Sequence, residues 1–113
     1  MTTRCLQVVT TTDSAEEAER LAHGIVAEHL GACVHITAVT SVYRWQGEVE
    51  QAPEWRLAVK TAADRLDALV AHIRERHSYD LPQVVAVEIA GGSAEYLDWV
   101  VAETRTAETR AVE

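Results

Sequence analysis

The sequence has no phenylalanine, and its 113 residues include only two cysteines, two prolines and one methionine. With so few cysteines and no paired-cysteine motif, neither a disulfide-dense scaffold nor a structural zinc site of the four-cysteine kind is expected. No apolar run approaches the roughly 20 residues that a membrane-spanning helix requires. The chain is nevertheless long enough to form one domain with its own core, in which three tryptophans and three tyrosines supply all of the aromatic bulk.

Basic residues are also scarce, because ten lysines and arginines stand against eighteen aspartates and glutamates. The formal charge of −8 argues against nucleic acid or an anionic membrane as a partner and favours cationic partners. The first residues lead directly into a strand pattern without the features of a signal peptide, and two reduced thiols suit the cytoplasm. We therefore predict a cytoplasmic protein that binds neither nucleic acid nor membrane.

The longest patterned stretch runs from Cys33 to Thr61 and consists of two extended arms joined at Gln46-Gly47. Each arm holds about 14 residues and spans about 45 Å at roughly 3.3 Å per residue. A compact domain of this length is only about 35 Å across. The rest of the chain is therefore too small to cover this hairpin, and its tip requires cover from another source.

Strand and helix patterns alternate along the rest of the chain. Strands are predicted at 4–11, in the two hairpin arms and at 83–89, and helices are predicted after Asp13, Thr61 and Ser93. This order is that of an α+β fold, a ferredoxin-like βαββαβ sandwich with a long central β-hairpin and an extra C-terminal helix.

Several local expectations accompany this assignment. Asp13 is predicted to cap the first helix with Glu16 reaching back to it, and Glu17 is placed on the water-facing side. Gly31 is expected to close that helix in the left-handed conformation. Pro53 is expected to mark a bulge or a sheet edge because it cannot donate to the ladder. The almost continuously apolar fourth strand is expected to be central or well covered.

The predicted topology leaves one sheet face and the hairpin tip without cover. Residues 1–103 form the single domain, and 104–113 are predicted to be a polar, frayed C-terminal tail. The two main helices cover one face, which leaves the other face and Tyr43, Trp45 and Val49 exposed. An aromatic and apolar surface of that size marks an interface, so a homo-oligomer with closed symmetry is predicted.

The chain carries no Gly-rich phosphate loop and no nucleophile elbow, so no enzyme activity is predicted. Cys33 and His35 lie two apart on a strand and point to one face, where a thiolate and an imidazole suit copper or zinc. The alternative is a small buried cysteine beside a hydrogen-bonded histidine. His77 ends the second helix, either as a cation favoured by the helix dipole or as a metal ligand. The other histidines, among them His72, lack a partner at i,i+4 spacing and are expected to be surface residues or local hydrogen-bond partners.

Five segments of the chain resemble the CutA family of divalent-cation tolerance proteins. The segments are EHLGACV at 28–34, SVYRWQG at 41–47, VKT at 59–61, HSYDLP at 77–82 and EYLDW at 95–99. The resemblance as a whole covers roughly residues 4–103 in order and without large gaps, which is nearly all of the predicted domain.

The resemblance implies a ferredoxin-like subunit in a tight homotrimer that is similar in architecture to the PII signalling proteins. Members of the family are linked to tolerance of copper and other divalent metals, with no established catalysed reaction. Copper-binding members resemble this chain at His77. In such trimers the cleft between subunits is lined by residues that match Tyr43, Trp45, Glu54, Lys60, His77 and Tyr79.

We therefore predict a non-enzymatic, homotrimeric divalent-cation tolerance protein that takes part in the response to metal ions. His77 is the first candidate ligand, and Cys33 with His35 is the second. No cofactor is obligatory, and Cu(II) or another divalent cation is the expected bound ion. The alternative is a PII-like small-molecule sensor that uses the intersubunit cleft around Trp45 and Lys60.

Overall fold

A computed structural model describes residues 3–106 of the chain. The strands are β1 (Cys5–Thr12), β2 (Cys33–Trp45), β3 (Glu48–Ala62) and β4 (Val85–Glu88). The helices are α1 (Ala15–Ala27), α2 (Leu66–Arg76), which follows a short 3₁₀ turn (Ala63–Arg65), and α3 (Ala94–Glu103). Within this part of the chain no helix is long and apolar enough to cross a membrane.

The four strands form one antiparallel sheet in the order β2-β3-β1-β4. The first strand lies between the third and the fourth, and the second strand is outermost beside the third. This arrangement confirms the α+β, ferredoxin-like fold class with a long hairpin and a third helix. The helices lie on both faces of the sheet. α1 and α2 pack on one face, and α3 lies on the other.

Alternation along the strands divides the sheet into a helix-covered face and a second face. Leu6 and Val8 of β1 point toward α1 and α2, together with Leu57 and Val59 of β3. The core on this side also contains side chains from both helices: Ala18, Leu21, Ala22, Ile25, Leu69 and Ile73. Burying such aliphatic side chains contributes about 1.5–3 kcal/mol each, so this layer supplies most of the stability of the subunit.

We call the second side of the sheet the open face. Two rows of neighbouring side chains cross it, Cys33–Lys60–Gln7–Val87 and His35–Ala58–Val9–Val85. At one end the face meets α3, where the Cys5 thiol lies 3.8 Å from the carbonyl oxygen of Leu97. No other helix of the described residues packs on this face.

The hairpin is a single uninterrupted ladder. β2 and β3 keep one register from Cys33 opposite Lys60 to Trp45 opposite Glu48. Gln46 and Gly47 connect them with φ values of 50° and 84°, the two positive angles that a type I′ turn requires. The longest dimension of the subunit is 48 Å, in line with the length predicted for the hairpin arms.

Pro53 was expected to mark either a bulge or a sheet edge, and there is no bulge at this position. It lies opposite Thr40 in the continuous register of β2 and β3. On its other side β3 has no neighbour, because the pairing with β1 ends at Trp55 opposite Thr12. The missing N–H of proline is therefore tolerated at an edge.

Both ends of α1 differ from the expected positions. β1 extends to Thr12, so Ser14 and not Asp13 occupies the N-cap position, and its hydroxyl accepts from the amide of Glu17 at 3.1 Å. At the other end His29 takes the left-handed conformation, with φ of 58°, that was assigned to Gly31. The amides of His29 and Leu30 donate to Val26 and Ile25, the two bonds of a Schellman closure.

Gly31 is needed for packing and not for a positive φ angle. A β-carbon at this position would come within 2.5 Å of a methyl group of Val59 and 3.0 Å of one of Ile25. The residue after the helix closure therefore lies directly on the core, where no side chain fits.

The fourth strand is shorter and less covered than expected. β4 contains only Val85–Glu88, lies at the edge of the sheet, and is exposed along its whole length in the subunit. The prediction that this apolar strand is well covered is therefore wrong for a single chain, because Val85 and Val87 point to the open face.

The first residues of the predicted tail belong to the folded domain. Thr104 and Arg105 are buried, and the Arg105 guanidinium makes two hydrogen bonds to the Asp64 carboxylate at 2.7 and 3.0 Å. The chain therefore does not fray at residue 104. Residues 107–113 of the predicted tail lie outside the described residues.

His72 was not expected in the core, but it is buried between α1 and α2. Its Nε2 would lie only 3.3 Å from a β-carbon on Gly24, so the small residue on α1 makes room for the ring on α2. Burial, with a smaller contribution from Arg76, lowers the pKa of His72, which keeps the ring neutral in the folded chain.

We expect Gly31→Ala to lower the free energy of unfolding by about 1–3 kcal/mol, because the added methyl group overpacks the core. Gly91→Ala is the matched control, since a β-carbon there meets no atom within 4 Å. Urea unfolding followed by circular dichroism at one fixed protein concentration measures both. Equal midpoints for the two variants would contradict this account of Gly31.

Candidate functional site

The predicted site residues lie in three separate places in the subunit. His77, Glu54 and Tyr79 belong to a polar cluster beyond the end of β1. Cys33, His35 and Lys60 lie on the open face, and Tyr43 and Trp45 lie near the hairpin tip. Each place has different neighbours and a different exposure, so each is described on its own.

His77 is held by the backbone on both sides of its ring. The chain leaves α2 at Arg76, and His77 itself is extended, which turns its side chain toward β1. Its Nε2 donates to the carbonyl oxygen of Thr11 at 2.7 Å, and its Nδ1 accepts from the amide of Tyr79 at 3.0 Å. A carbonyl only accepts and an amide only donates, so these two bonds select the neutral ring with the proton on Nε2.

This geometry bears on the predicted role of His77 as a metal ligand. A metal ligand needs a free nitrogen lone pair, but here one nitrogen carries a proton and the other already accepts a hydrogen bond. The side chain is also fully buried. In this conformation His77 connects the end of α2 to the end of β1 with both ring nitrogens engaged, and its assignment as a metal ligand stays a prediction.

Glu17 is the main residue of this cluster that the sequence analysis misplaced. It was assigned to the exposed side of α1, but it is buried and its carboxylate accepts from the amide of Ser78 at 2.9 Å and from the hydroxyl of Ser78 at 2.7 Å. The available signal was the Ser14-x-x-Glu17 spacing of a capping box. Only one of the two hydrogen bonds of that motif forms, the one from the Glu17 amide to the Ser14 hydroxyl. The Glu17 carboxylate does not reach back to Ser14 and instead accepts hydrogen bonds from Ser78.

The pKa of Glu17 reflects this environment. Burial alone would raise it, but the two hydrogen bonds from Ser78 lower the pKa of the Glu17 carboxyl below its ordinary value of 4.5. The carboxylate is therefore stabilised in its charged form, and it ties the segment after α2 to the first turn of α1.

Glu54 and Tyr79, both predicted cleft residues, are in direct contact within the subunit. The Tyr79 hydroxyl donates to Glu54 Oε2 at 2.7 Å, and the Tyr79 ring packs against the His77 ring with centroids 4.9 Å apart. Burial, followed by the hydrogen bond and charge of Glu54, raises the pKa of Tyr79. Tyr79 therefore stays protonated and acts as a hydrogen-bond donor.

The remaining predicted cleft residues are not brought to Glu54 by the fold of one chain. Lys60 lies six residues further along the same face of β3 and pairs with Cys33 across the strands. At about 3.3 Å per residue this separates Lys60 from Glu54 by about 20 Å. Tyr43 and Trp45 are exposed near the hairpin tip. A cleft that contains all of these side chains requires a second copy of the chain.

Cys33 and His35 form a close pair on the open face. Both point to the same side of β2, and the Cys33 sulfur lies 3.7 Å from His35 Nε2. Cys33 is partly exposed and His35 is exposed. Across residues 3–106 no group of three or more histidine, cysteine, aspartate or glutamate side chains is arranged to hold a metal ion. This pair therefore offers two potential donor atoms, without a third from the described residues.

Residues 6–103 match the protein family described as CutA1 divalent ion tolerance protein. The chain is 42% identical over 99 residues to the chloroplastic protein CutA 1 of Oryza sativa, an alignment that covers 87% of this chain and 56% of that relative. It is 44% identical over 94 residues to the divalent-cation tolerance protein CutA of Thermus thermophilus, with 82% of this chain and 91% of that protein covered. The chain thus spans just over half the length of its plant relatives.

Solved structures of similar proteins have the same fold. The crystal structure of CutA1 from Oryza sativa has a TM-score of 0.90 at 40% identity and covers 94% of this chain and 98% of its own. The periplasmic divalent cation tolerance protein CutA from Archaeoglobus fulgidus has a TM-score of 0.88 at 33% identity, with 89% and 99% covered. These relatives belong to different compartments, so the cytoplasmic location of this chain stays a prediction.

We expect Glu17→Gln to lower the free energy of unfolding by about 1–3 kcal/mol at neutral pH, because hydrogen bonds to a carboxylate are stronger than those to an amide. Since the pKa of Glu17 is lowered in the folded chain, its contribution is present above 4.5 and is lost as the pH falls through the folded value. Urea unfolding measured on both sides of that pH should show a flatter acid dependence in the variant.

The exposed neighbour Glu16 provides the control for this measurement. Glu16→Gln should stay within about 0.5 kcal/mol of the wild type, as surface substitutions usually do. If Glu17→Gln and the wild type lose stability equally as the pH falls, the described role of Glu17 is wrong.

Proposed function

The chain belongs to the CutA1 divalent ion tolerance protein family, and on that basis we propose that it is a homotrimer that binds divalent metal ions and so contributes to metal tolerance. The observation that carries the proposal is the apolar and aromatic surface of the open face and the hairpin. In this proposal the protein binds metal ions and does not catalyse a reaction.

The open face exposes side chains that a stable subunit would bury. Val85 and Val87 on β4 are 49% and 60% exposed, and both point to this face. The row that contains Val85 continues through Val9 and Ala58, which are apolar but already buried in the subunit. Exposed valines on an edge strand are a template for association, so a second copy of the chain fits here.

The hairpin tip needs cover on two sides. Beyond the end of β1, β2 and β3 continue as a two-stranded ribbon, which is marginally stable by itself in water. Tyr43 and Trp45 lie on one side of this ribbon, whereas Val42 and Val49 lie on the other. This arrangement supports a ring of three copies, because each hairpin in such a ring can lie between two neighbours. The resemblance noted in the sequence implies the same number.

Charge and donor chemistry support the metal part of the proposal. The net charge of −8 attracts cations, and the only sulfur and imidazole pair in contact among residues 3–106 is Cys33 with His35. His77, the first candidate from the sequence, is committed to Thr11 and Tyr79. Divalent ions that accept sulfur or nitrogen ligands are therefore the proposed class.

Val85→Lys should weaken assembly, because it places a charge in the surface that the neighbouring copy covers. Val26→Lys is the matched control, since Val26 is 44% exposed but lies on α1, away from the open face. Light scattering after size-exclusion chromatography should give a smaller mass for Val85→Lys and about 37.5 kDa, three times the 12.5 kDa chain, for the control.

Circular dichroism shows whether Val85→Lys still folds at the concentration used. A Val85→Lys protein that keeps the wild-type mass would exclude the open face as the interface. A wild-type mass equal to one folded chain would exclude the trimer itself.

The metal part is tested by calorimetric titration of the wild-type protein with Zn(II), Cu(II) and Mg(II). We expect binding of zinc and copper but not of magnesium, which prefers oxygen ligands. Binding of none of the three ions would contradict the proposal. Binding of magnesium as tightly as zinc would contradict the proposed ligand class.

A further inference from the structure

We propose that Cys33 and His35 are the protein ligands of this metal ion and form a two-donor site for zinc or copper at the β2 edge of the open face. The inference rests on the metal binding proposed above and assigns its location. It excludes His77, which the sequence alone had ranked first.

The spacing of the two donor atoms already fits a shared ion. Zinc bonds to thiolate sulfur at about 2.3 Å and to imidazole nitrogen at about 2.0–2.1 Å, so a tetrahedral angle places the two donors about 3.5 Å apart. Cys33 Sγ and His35 Nε2 are 3.7 Å apart without an ion. Bringing both onto one ion therefore needs a movement of only a few tenths of an ångström, which side-chain rotation supplies.

The backbone fixes this geometry in advance. Cys33 and His35 are alternate residues of a strand that is paired along its whole length with β3, opposite Lys60 and Ala58. Their side chains therefore stay on the same face, and the small Ala58 leaves space beside the imidazole. Preorganised donors on a rigid strand lose little conformational entropy when an ion binds.

A metal ion binds the thiolate form of a cysteine. Lys60 lies directly across the strand pair from Cys33, where β-carbons are about 4.5–5.5 Å apart. When the ion binds, the metal–sulfur bond replaces the sulfur–hydrogen bond and the proton leaves to solvent.

The donor set also determines which ions fit. Thiolate and imidazole are soft or borderline ligands that favour copper and zinc, whereas magnesium and calcium prefer carboxylate and carbonyl oxygens. β2 is the outermost strand of the sheet, so the remaining coordination positions face solvent or a neighbouring copy. Water or a donor from that copy completes the coordination of the ion.

Cobalt(II) provides a direct optical test, since a thiolate bound to cobalt gives a charge-transfer absorption in the near ultraviolet. We expect this band in the full-length wild-type protein and its loss when zinc is added in excess. Cys33→Ser should abolish the band even though it keeps the buried Cys5. His35→Asn should weaken zinc binding at least tenfold, measured by competition with a chromogenic chelator.

His23→Asn is the matched control for the histidine, because His23 is exposed on α1 and away from the open face. It should bind zinc as tightly as the wild type. Circular dichroism and solution mass of each variant show whether the fold and the assembly are kept.

A second measurement needs no variant. Zinc should slow the alkylation of Cys33 by iodoacetamide in the wild-type protein, and magnesium should not, as followed by mass spectrometry of the modified peptide. An unchanged rate in saturating zinc would contradict the site.

The outcomes separate this inference from the proposed function. If the wild type binds zinc and Cys33→Ser and His35→Asn bind it equally well, the site is wrong and the metal-binding function stands. If the wild type binds neither zinc nor copper, the metal-binding function fails as well.

Discussion

The unbroken pairing of β2 with β3 is the constraint on which the rest of the structure depends. One register holds from Cys33–Lys60 to Trp45–Glu48, so each side chain of both strands has a fixed face. The same register carries the ribbon beyond the end of β1, where the chain has no further element to pack on it. A rigid ladder therefore places two donor atoms side by side at one end and leaves apolar surface exposed at the other. The proposed assembly and the proposed metal site both depend on this one feature of the backbone.

The polar cluster around His77 serves a different purpose from the open face. Its neutral imidazole joins the end of α2 to Thr11, and the Glu17 carboxylate joins the next residue, Ser78, to α1. Each buried polar atom described in this cluster has a partner, which avoids the desolvation cost of an unpaired group. The cluster thus fixes the position of Tyr79 against Glu54. A residue that resembles a ligand in the sequence is here part of the framework that holds the domain together.

Much of the fold could be predicted from local patterns, whereas the cluster could not. Gly47 after Gln46 and the alternation of the two arms are short-range signals, and they gave the hairpin, its length and its uncovered tip. The burial of Glu17 depends on Ser78, which lies 61 residues away along the chain, and no local pattern encodes that contact. The same is true of His72, whose burial depends on the space at Gly24. The prediction that β4 is well covered was wrong because its apolar residues point to a face that its own subunit leaves exposed.

The central claim is that two further copies of the chain cover the open face and the hairpin. Sedimentation of the wild-type protein over a range of dilutions tests this most directly, because an interface that buries exposed valines, tyrosine and tryptophan should persist at low concentration. The account predicts one species of about 37.5 kDa, three times the mass of the 12.5 kDa chain. A stable, folded species with the mass of one chain would contradict it.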